Sequence, residues 1–143
     1  MAICAFFGHR NFPYSEYTDR ITACIAELIV KKRVIQFYSG FRGNFDRLCA
    51  QLVYDIKDLH PHIVSTMVLS YHPQQDFILP SCFDDSVYLL DKKVPDRFAI
   101  YYTNRKMVDL SDYIISGVML NTGGAASACN YAKSKKKEVI SIF

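Results

Sequence analysis

Two kinds of hydrophobic pattern alternate along this chain, and that alternation leaves few folds open to it. Residues 3–7 and 34–39 are short, nearly continuous apolar runs, the first ended by Gly8 and the second by Gly40. Runs of this length read as strands buried on both faces. Between them Ile21, Cys24, Ile25, Leu28 and Ile29 recur at helical spacing, and after Gly43 the series Phe45, Leu48, Cys49, Leu52, Val53 and Ile56 does the same. Residues 63–70, 113–116 and 138–143 supply three further strands, and helices are expected over about 98–110 and 124–135. Residues 72–97 carry Pro73, Pro80 and Pro95 among mixed aromatics; a short helix followed by a minor strand at 86–90 is expected there. Strands separated by helices build a mainly parallel sheet with right-handed crossovers, covered on both faces.

The expected fold class is therefore α/β: a Rossmann-like three-layer domain whose mainly parallel sheet has about five strands. With 143 residues, half of them hydrophobic, the chain has material for one sizeable core, so residues 1–143 are read as a single domain. The 17 basic and 14 acidic residues leave a formal charge of only +3, too small and dispersed to announce a polyanion-binding surface. Long nucleic acids are not implied as partners, while free nucleotides are compatible. Cys4, Cys24, Cys49, Cys82 and Cys129 are odd in number and well separated, the usage of reduced core cysteines. No CxxC pair or Cys/His cluster accompanies them, so no metal is expected. The apolar N-terminal stretch ends at Gly8-His9-Arg10, too early for a signal peptide, and no window approaches a membrane span. A cytoplasmic protein without membrane attachment is expected.

Ligands of open parallel sheets bind beyond the carboxyl ends of the strands, and three turns there carry glycine. They are Gly8-His9-Arg10, then Ser39-Gly40-Phe41-Arg42-Gly43 running on to Asp46, and Thr122-Gly123-Gly124-Ala125. Glycine admits close approach of backbone to an anion, and the amides of a following helix start can bind phosphate. Neither GxGxxG nor GxxxxGK[ST] occurs, so the joint placement of the turns is the signal. Arg10 and Arg42 can pair with phosphate, or form a surface salt bridge or cap a helix. His9 can donate a proton, contact a ribose, or simply pack. Asp46 can meet a ribose hydroxyl or be an ordinary acid of a first helical turn. The run Lys133-Ser134-Lys135-Lys136-Lys137 reads as a solvated helix end, where cations offset the helix dipole.

Four strings in order carry a family resemblance: Cys4-Ala5-Phe6-Phe7-Gly8-His9-Arg10; Phe37 through Asp46; Asn104-Arg105-Lys106-Met107-Val108-Asp109-Leu110-Ser111-Asp112; and Thr122-Gly123-Gly124-Ala125-Ala126. Together they resemble the SLOG superfamily, named for its Smf/DprA and LOG members, and within it the small DUF1273 (YpsA-like) branch, over nearly the whole chain. The resemblance implies a Rossmann-like domain binding a nucleotide or nucleotide-derived small molecule. LOG-type phosphoribohydrolases carry PGGxGTxxE, whose glutamate and an upstream arginine handle ribose and bond cleavage. Here the glutamate position falls on Asn130, the threonine position on Ser127 and the arginine position on Thr103, with Arg105 two residues later. Asn130 cannot act as a carboxylate base. Phe41 stands where the branch tends to have glycine, and Ala125-Ala126 replace glycine and threonine.

The expected role is thus a sensing or sequestering module for a nucleotide-derived ligand, more a binder than an enzyme, without a cofactor. The implied ligand-binding residues are Gly8, His9, Arg10, Ser39, Gly40, Arg42, Gly43, Asp46, Arg105, Thr122, Gly123, Gly124 and Ala125. Tyr38, Phe41, Tyr71, Phe77, Tyr101 and Tyr102 are candidates to stack a base, although much of the chain's ten Tyr and ten Phe must be core. The alternative is an enzyme of N-glycosidic bonds, with Asp46, Asp109 or Asp112 as its carboxylate. Single-stranded DNA binding of the DprA type is a third reading. Homo-oligomerisation is expected, with Tyr101 and Tyr102 on the contact face.

Overall fold

The computed structural model describes residues 1–13 and 16–143. Along the chain run β1 (Ala2–Gly8), α1 (Thr18–Lys32), β2 (Val34–Ser39), α2 (Asn44–Ile56), β3 (Val64–Leu69), β4 (Asp85–Tyr88), α3 (Asp96–Leu110), β5 (Tyr113–Gly117), α4 (Gly124–Ser134) and β6 (Glu138–Ser141). The strands form one six-stranded sheet in the order β4-β3-β2-β1-β5-β6. Every neighbouring pair is parallel.

Strand alternation divides the core between the two faces. Cys4 and Phe6 of β1, Phe37 of β2 and Ile115 of β5 pack with α1 and α2. The intervening Ala5, Phe7, Tyr38 and Ile114 pack with Met107 and Val108 of α3 and with Ala128, Cys129 and Ala132 of α4. Both sides of the central strands are covered, which is why their sequences read as apolar without a polar face. The five cysteines are free thiols, with Cys4, Cys49 and Cys129 buried.

The sheet gains its sixth strand because Asp85–Tyr88 pairs with β3, from Thr66↔Asp85 to Leu69↔Tyr88. The helix expected ahead of it does not form; residues 72–84 are turns and irregular segments. Pro73 and Pro80 each lack an amide and push the preceding residue out of the helical region. Only isolated turn bonds survive there, Phe77 N to Gln74 O at 3.0 Å and Phe83 N to Pro80 O at 3.1 Å. α3 starts two residues before the expected 98, directly after Pro95. It stops at Ser111, whose Oγ donates back to Met107 O at 2.6 Å. β6 ends at Ser141, but Ile142 N still donates to Ser116 O at 3.1 Å and its side chain is buried in the core. Lys133, Lys135 and Lys136 are exposed about the end of α4. Among the described residues no helix is long and apolar enough to cross a membrane.

Candidate functional site: a cleft at the carboxyl ends of the strands

β1 leads into α1 on one face of the sheet and β5 leads into α4 on the other, so the connections diverge where Gly8 pairs with Gly117. Such a divergence opens a crevice beyond the strand ends. The three glycine turns meet there, yet their glycines answer to different demands. A Cβ on Gly8 would lie 2.2 Å from the Phe45 ring, and one on Gly117 would lie 2.3 Å from the same ring. Both glycines make room for Phe45, a fully buried wedge at the start of α2. A Cβ on Gly43 would come within 2.6 Å of Arg10 Cα, because the first two turns are joined by Asn44 N donating to Arg10 O at 2.9 Å. Gly123 instead adopts φ +98 with open space around it, and nothing lies within 4 Å of where a Gly124 Cβ would sit. Only at this third turn does the bare backbone face an empty volume.

That volume is a cleft of about 270 Å³, lined by all the expected site residues except Ser39, Arg105 and Thr122. Ser39 lies just beneath it: its Oγ accepts from Phe41 N and donates to the Asp46 carbonyl, both at 3.2 Å, holding the second turn in shape. α3 contributes Ile100, Asn104 and Met107, which the sequence reading did not assign. Their spacing of four and three was the available signal, since it sets them on one helical face.

Arg42 is the best-positioned cation of the site. Its Nη1 donates to Ser70 Oγ at 3.2 Å, Nη2 reaches Asn104 Oδ1 at 3.5 Å, and the guanidinium lies over Gly40. Burial pulls its pKa below the ordinary value; Asp46 and Tyr71 push the other way, and Arg10 adds to the lowering. Burial likewise pushes the half-buried Asp46 carboxyl up to about 6, against the opposing pull of the Arg42 amide and of the Arg42 and Arg47 charges. Arg10 is exposed at the rim. Neither Arg10 nor Arg42 takes part in the ion pairs of the described residues, which are Lys31 with Glu27 and Lys57 with Asp84. α4 begins here with no side-chain cap, its first intrahelical bond running from Ser127 N to Gly123 O at 3.0 Å. The amides ahead of that bond are therefore open to an anion.

His9 has a structural task. Its Nε2 accepts from Met119 N at 2.9 Å and Leu120 N at 3.0 Å, tying the loop after β5 to the turn after β1. The aromatics expected to stack a base do not line the cleft. Tyr38 belongs to the core, Tyr71 donates to Asp96 O at 3.1 Å, and Phe41 packs on Phe83 at 5.2 Å with the Arg47 guanidinium 4.5 Å from its ring. Phe41 also has φ 57, the conformation that favours glycine at this position.

Arg105 and Thr122 open instead onto a neighbouring hollow on the other side of Gly123, together with Ser127 and Asn130. Arg105 follows Asn104 by one residue, a rotation of about 100° on a helix, which carries it out of the cleft. Thr103 is fully buried, and its hydroxyl has no hydrogen-bond partner. Of the three candidate carboxylates only Asp46 lines the cleft. Asp109 accepts from the Tyr131 hydroxyl at 2.7 Å, and Asp112 accepts from Ile3 N at 2.9 Å, away from the strand carboxyl ends. Among the described residues no cluster of side chains suits a metal ion.

No known family description matches this sequence, and no curated protein matches it. Solved structures do. DNA processing protein A (DprA) from Streptococcus pneumoniae aligns with a TM-score of 0.68 at 15% identity, over 99% of this chain and 50% of that one. DprA from Helicobacter pylori, solved for its single-stranded DNA binding mode, gives 0.66 at 20% identity over 98% and 64%. The molybdenum cofactor carrier protein from Chlamydomonas reinhardtii gives 0.57 at 12% identity over 98% and 75%. The chain thus spans between half and two thirds of the DprA chains it resembles. These likenesses establish a shared Rossmann-like fold.

Proposed function

We propose that this chain binds a nucleotide or nucleotide-derived small molecule in the cleft, as a sensing or sequestering domain of the SLOG type, and that residues 1–143 fold as one unit. The observation that carries the reading is the convergence of Arg42, a half-buried guanidinium outside any ion pair of the described residues, with the uncapped start of α4 on one empty cleft. A phosphate there meets a planar donor fork already oriented by Ser70 and Asn104, a second cation at Arg10, and open backbone amides. Burial disfavours the Arg42 charge more than the Arg10 charge does, and Asp46 offsets part of that cost; an anion entering the cleft would offset more of it. Asp46 is in place to accept from a sugar hydroxyl. The volume lies just under the roughly 300–1,000 Å³ of drug-sized sites, which suits a phosphate and sugar with the base toward the mouth.

The test is a thermal-shift screen against mono- and dinucleotides, ADP-ribose derivatives and cyclic nucleotides, with chromatography of each mixture after incubation. Stabilisation with the ligand recovered intact supports the binding role. Arg42→Ala and Arg10→Ala should each cost about 1–3 kcal/mol of that affinity, as loss of a charge-assisted hydrogen bond does. No stabilisation by any of these compounds refutes the proposal.

One observation favours a second reading, an enzyme of N-glycosidic bonds: Asp46 lines the cleft with its carboxyl raised to about 6, the range of a group that exchanges protons near neutrality. Release of free base by the wild type, abolished in Asp46→Asn, would establish it. DNA binding of the kind described for the Helicobacter DprA is checked in the same series with single-stranded oligonucleotides at two salt concentrations, where a phosphate-dominated complex weakens steeply. Self-association through the exposed Phe98, Tyr101 and Tyr102 of α3 is read from the elution volume of wild type against Tyr102→Glu.

A further inference from the structure

The hollow beyond Gly123 holds a cation that the cleft does not use. Arg105 packs against two aromatic rings, its Cζ 4.7 Å from the Tyr101 centroid and 4.3 Å from that of Tyr131. The Tyr131 hydroxyl also lies within hydrogen-bonding reach of the guanidinium, whereas its buried Nε has no partner. A buried donor without an acceptor is costly. The carboxylate beside it, Asp109, is engaged by the Tyr131 hydroxyl, and Lys135 Nζ stands 5.5 Å from the same tyrosine ring, so the surroundings are not acidic overall.

Cleft and hollow adjoin at Gly123, which lines both. A groove of about 170 Å³ between α3 and α4 shares Ile100, Asn104 and Gly124 with the cleft and Arg105 and Ser127 with the hollow. The hollow, about 550 Å³, follows α4 from Gly123 to Ser134, a distance of about 16 Å at the helical rise. Cations thus line both neighbouring hollows, Arg10 and Arg42 in the cleft and Arg105 beyond the Gly123-Gly124 turn, and none of the three takes part in a salt bridge of the described residues.

We propose that Arg105 forms a second anion subsite and that the ligand carries two anionic groups, one held at Arg10 and Arg42 and the other at Arg105, joined by a linker crossing the turn. The inference rests on the nucleotide-binding reading of the cleft and specifies its ligand class: a dinucleotide or comparable bis-anionic nucleotide, of which a mononucleotide fills one half.

The probes are AMP and the 5′-phosphorylated dinucleotide pApA, titrated calorimetrically into the full chain. The wild type should prefer pApA by about tenfold or more, the increment of one charge-assisted contact. Arg105→Met keeps an apolar stem against Tyr101 and Tyr131 while removing the donors, and should bring the pApA-to-AMP preference close to one. Should that variant fail to fold, Ser127→Asp places a negative charge on the exposed wall of the hollow and should lower the preference by repulsion. Equal binding of the two probes by wild type, or a preference that survives these substitutions, overturns the second subsite while leaving the cleft reading intact. Binding of neither probe removes both.

Discussion

Substituting the turn glycines one at a time separates those required by packing from the one left free for a ligand. Valine at Gly124 meets nothing within 4 Å, and the position has no left-handed backbone. It is the first residue of α4, where exchanging glycine for a residue of lower backbone entropy should stabilise by about 0–0.5 kcal/mol. Alanine at Gly8 drives a Cβ to 2.2–2.6 Å from three atoms of Phe45. Phe45 is fully buried and in edge-on contact with Phe12 at 5.0 Å, so it has no free space to yield into. Overpacking of this kind costs about 1–3 kcal/mol. Denaturant melts should therefore show Gly124→Val at or slightly above wild-type stability and Gly8→Ala clearly below it. Titration of a nucleotide that stabilises the wild type should show Gly124→Val binding at least about tenfold more weakly, because its side chain occupies the approach to the α4 amides. Wild-type affinity in Gly124→Val would remove the third turn from the site. A loss of more than about 1 kcal/mol in its stability would refute the open space inferred around it.

Three further outcomes follow from individual contacts. Asp46 holds its proton more tightly folded than unfolded, with the carboxyl raised from 3.8 to about 6; its contribution is most favourable below pH 4 and is lost as pH rises through 6. Asp46→Asn should accordingly match wild type near pH 4 and exceed it above pH 6 by on the order of 1–3 kcal/mol, and a variant less stable than wild type at pH 7 would contradict this. His9→Ala removes the acceptor of two loop amides; it should cost about 1–2 kcal/mol and speed hydrogen exchange at Met119 and Leu120, whose unchanged protection would count against the tie. Phe41 pairs a left-handed backbone with contacts to Phe83 and Arg47. Phe41→Gly exchanges strain for lost contact and should be near neutral, while Phe41→Ala keeps the strain, loses the contact and should cost about 1–2 kcal/mol; equal effects would show that the strain is negligible.

Most of the fold was legible in the sequence because its strands are buried on both faces and its helices are amphipathic, two patterns that do not mimic each other over 5–15 residues. The expected helix in residues 72–84 was wrong for a local reason, the prolines at 73 and 80, and the sixth strand was legible only as a minor one because β4 is an edge strand with half its residues exposed. The turns after β1, β2 and β5 were legible as a group, since each ends an apolar run in glycine. What sequence could not tell is which way each side chain of a turn faces. Ser39 and His9 fell into the expected set by position, and the structure gives both of them backbone partners. Asn104 sat inside a quoted motif without a role because its companions on the cleft face, Ile100 and Met107, are apolar and read as core.

Glycine at a strand end therefore carries less functional information than its spacing implies. Gly8, Gly43 and Gly117 are each accounted for by a protein atom less than 3 Å from the absent Cβ, so they would be required whether or not a ligand existed. Packing demands nothing of that kind at Gly124, nor at Gly123 beyond its positive φ. The same distinction applies to the cations: Lys57 and Lys31 are held in salt bridges, whereas Arg10, Arg42 and Arg105 border empty volume outside any salt bridge of the described residues, with Asp46 the acid nearest in charge to Arg42. Bare backbone and guanidinium outside a salt bridge coincide along these adjoining hollows, and either alone would be explained by turn geometry or by solvation. Their coincidence is what the proposed anion would account for, and the lining that continues past Gly124 to Arg105 is what motivates a second anionic group in the proposed ligand.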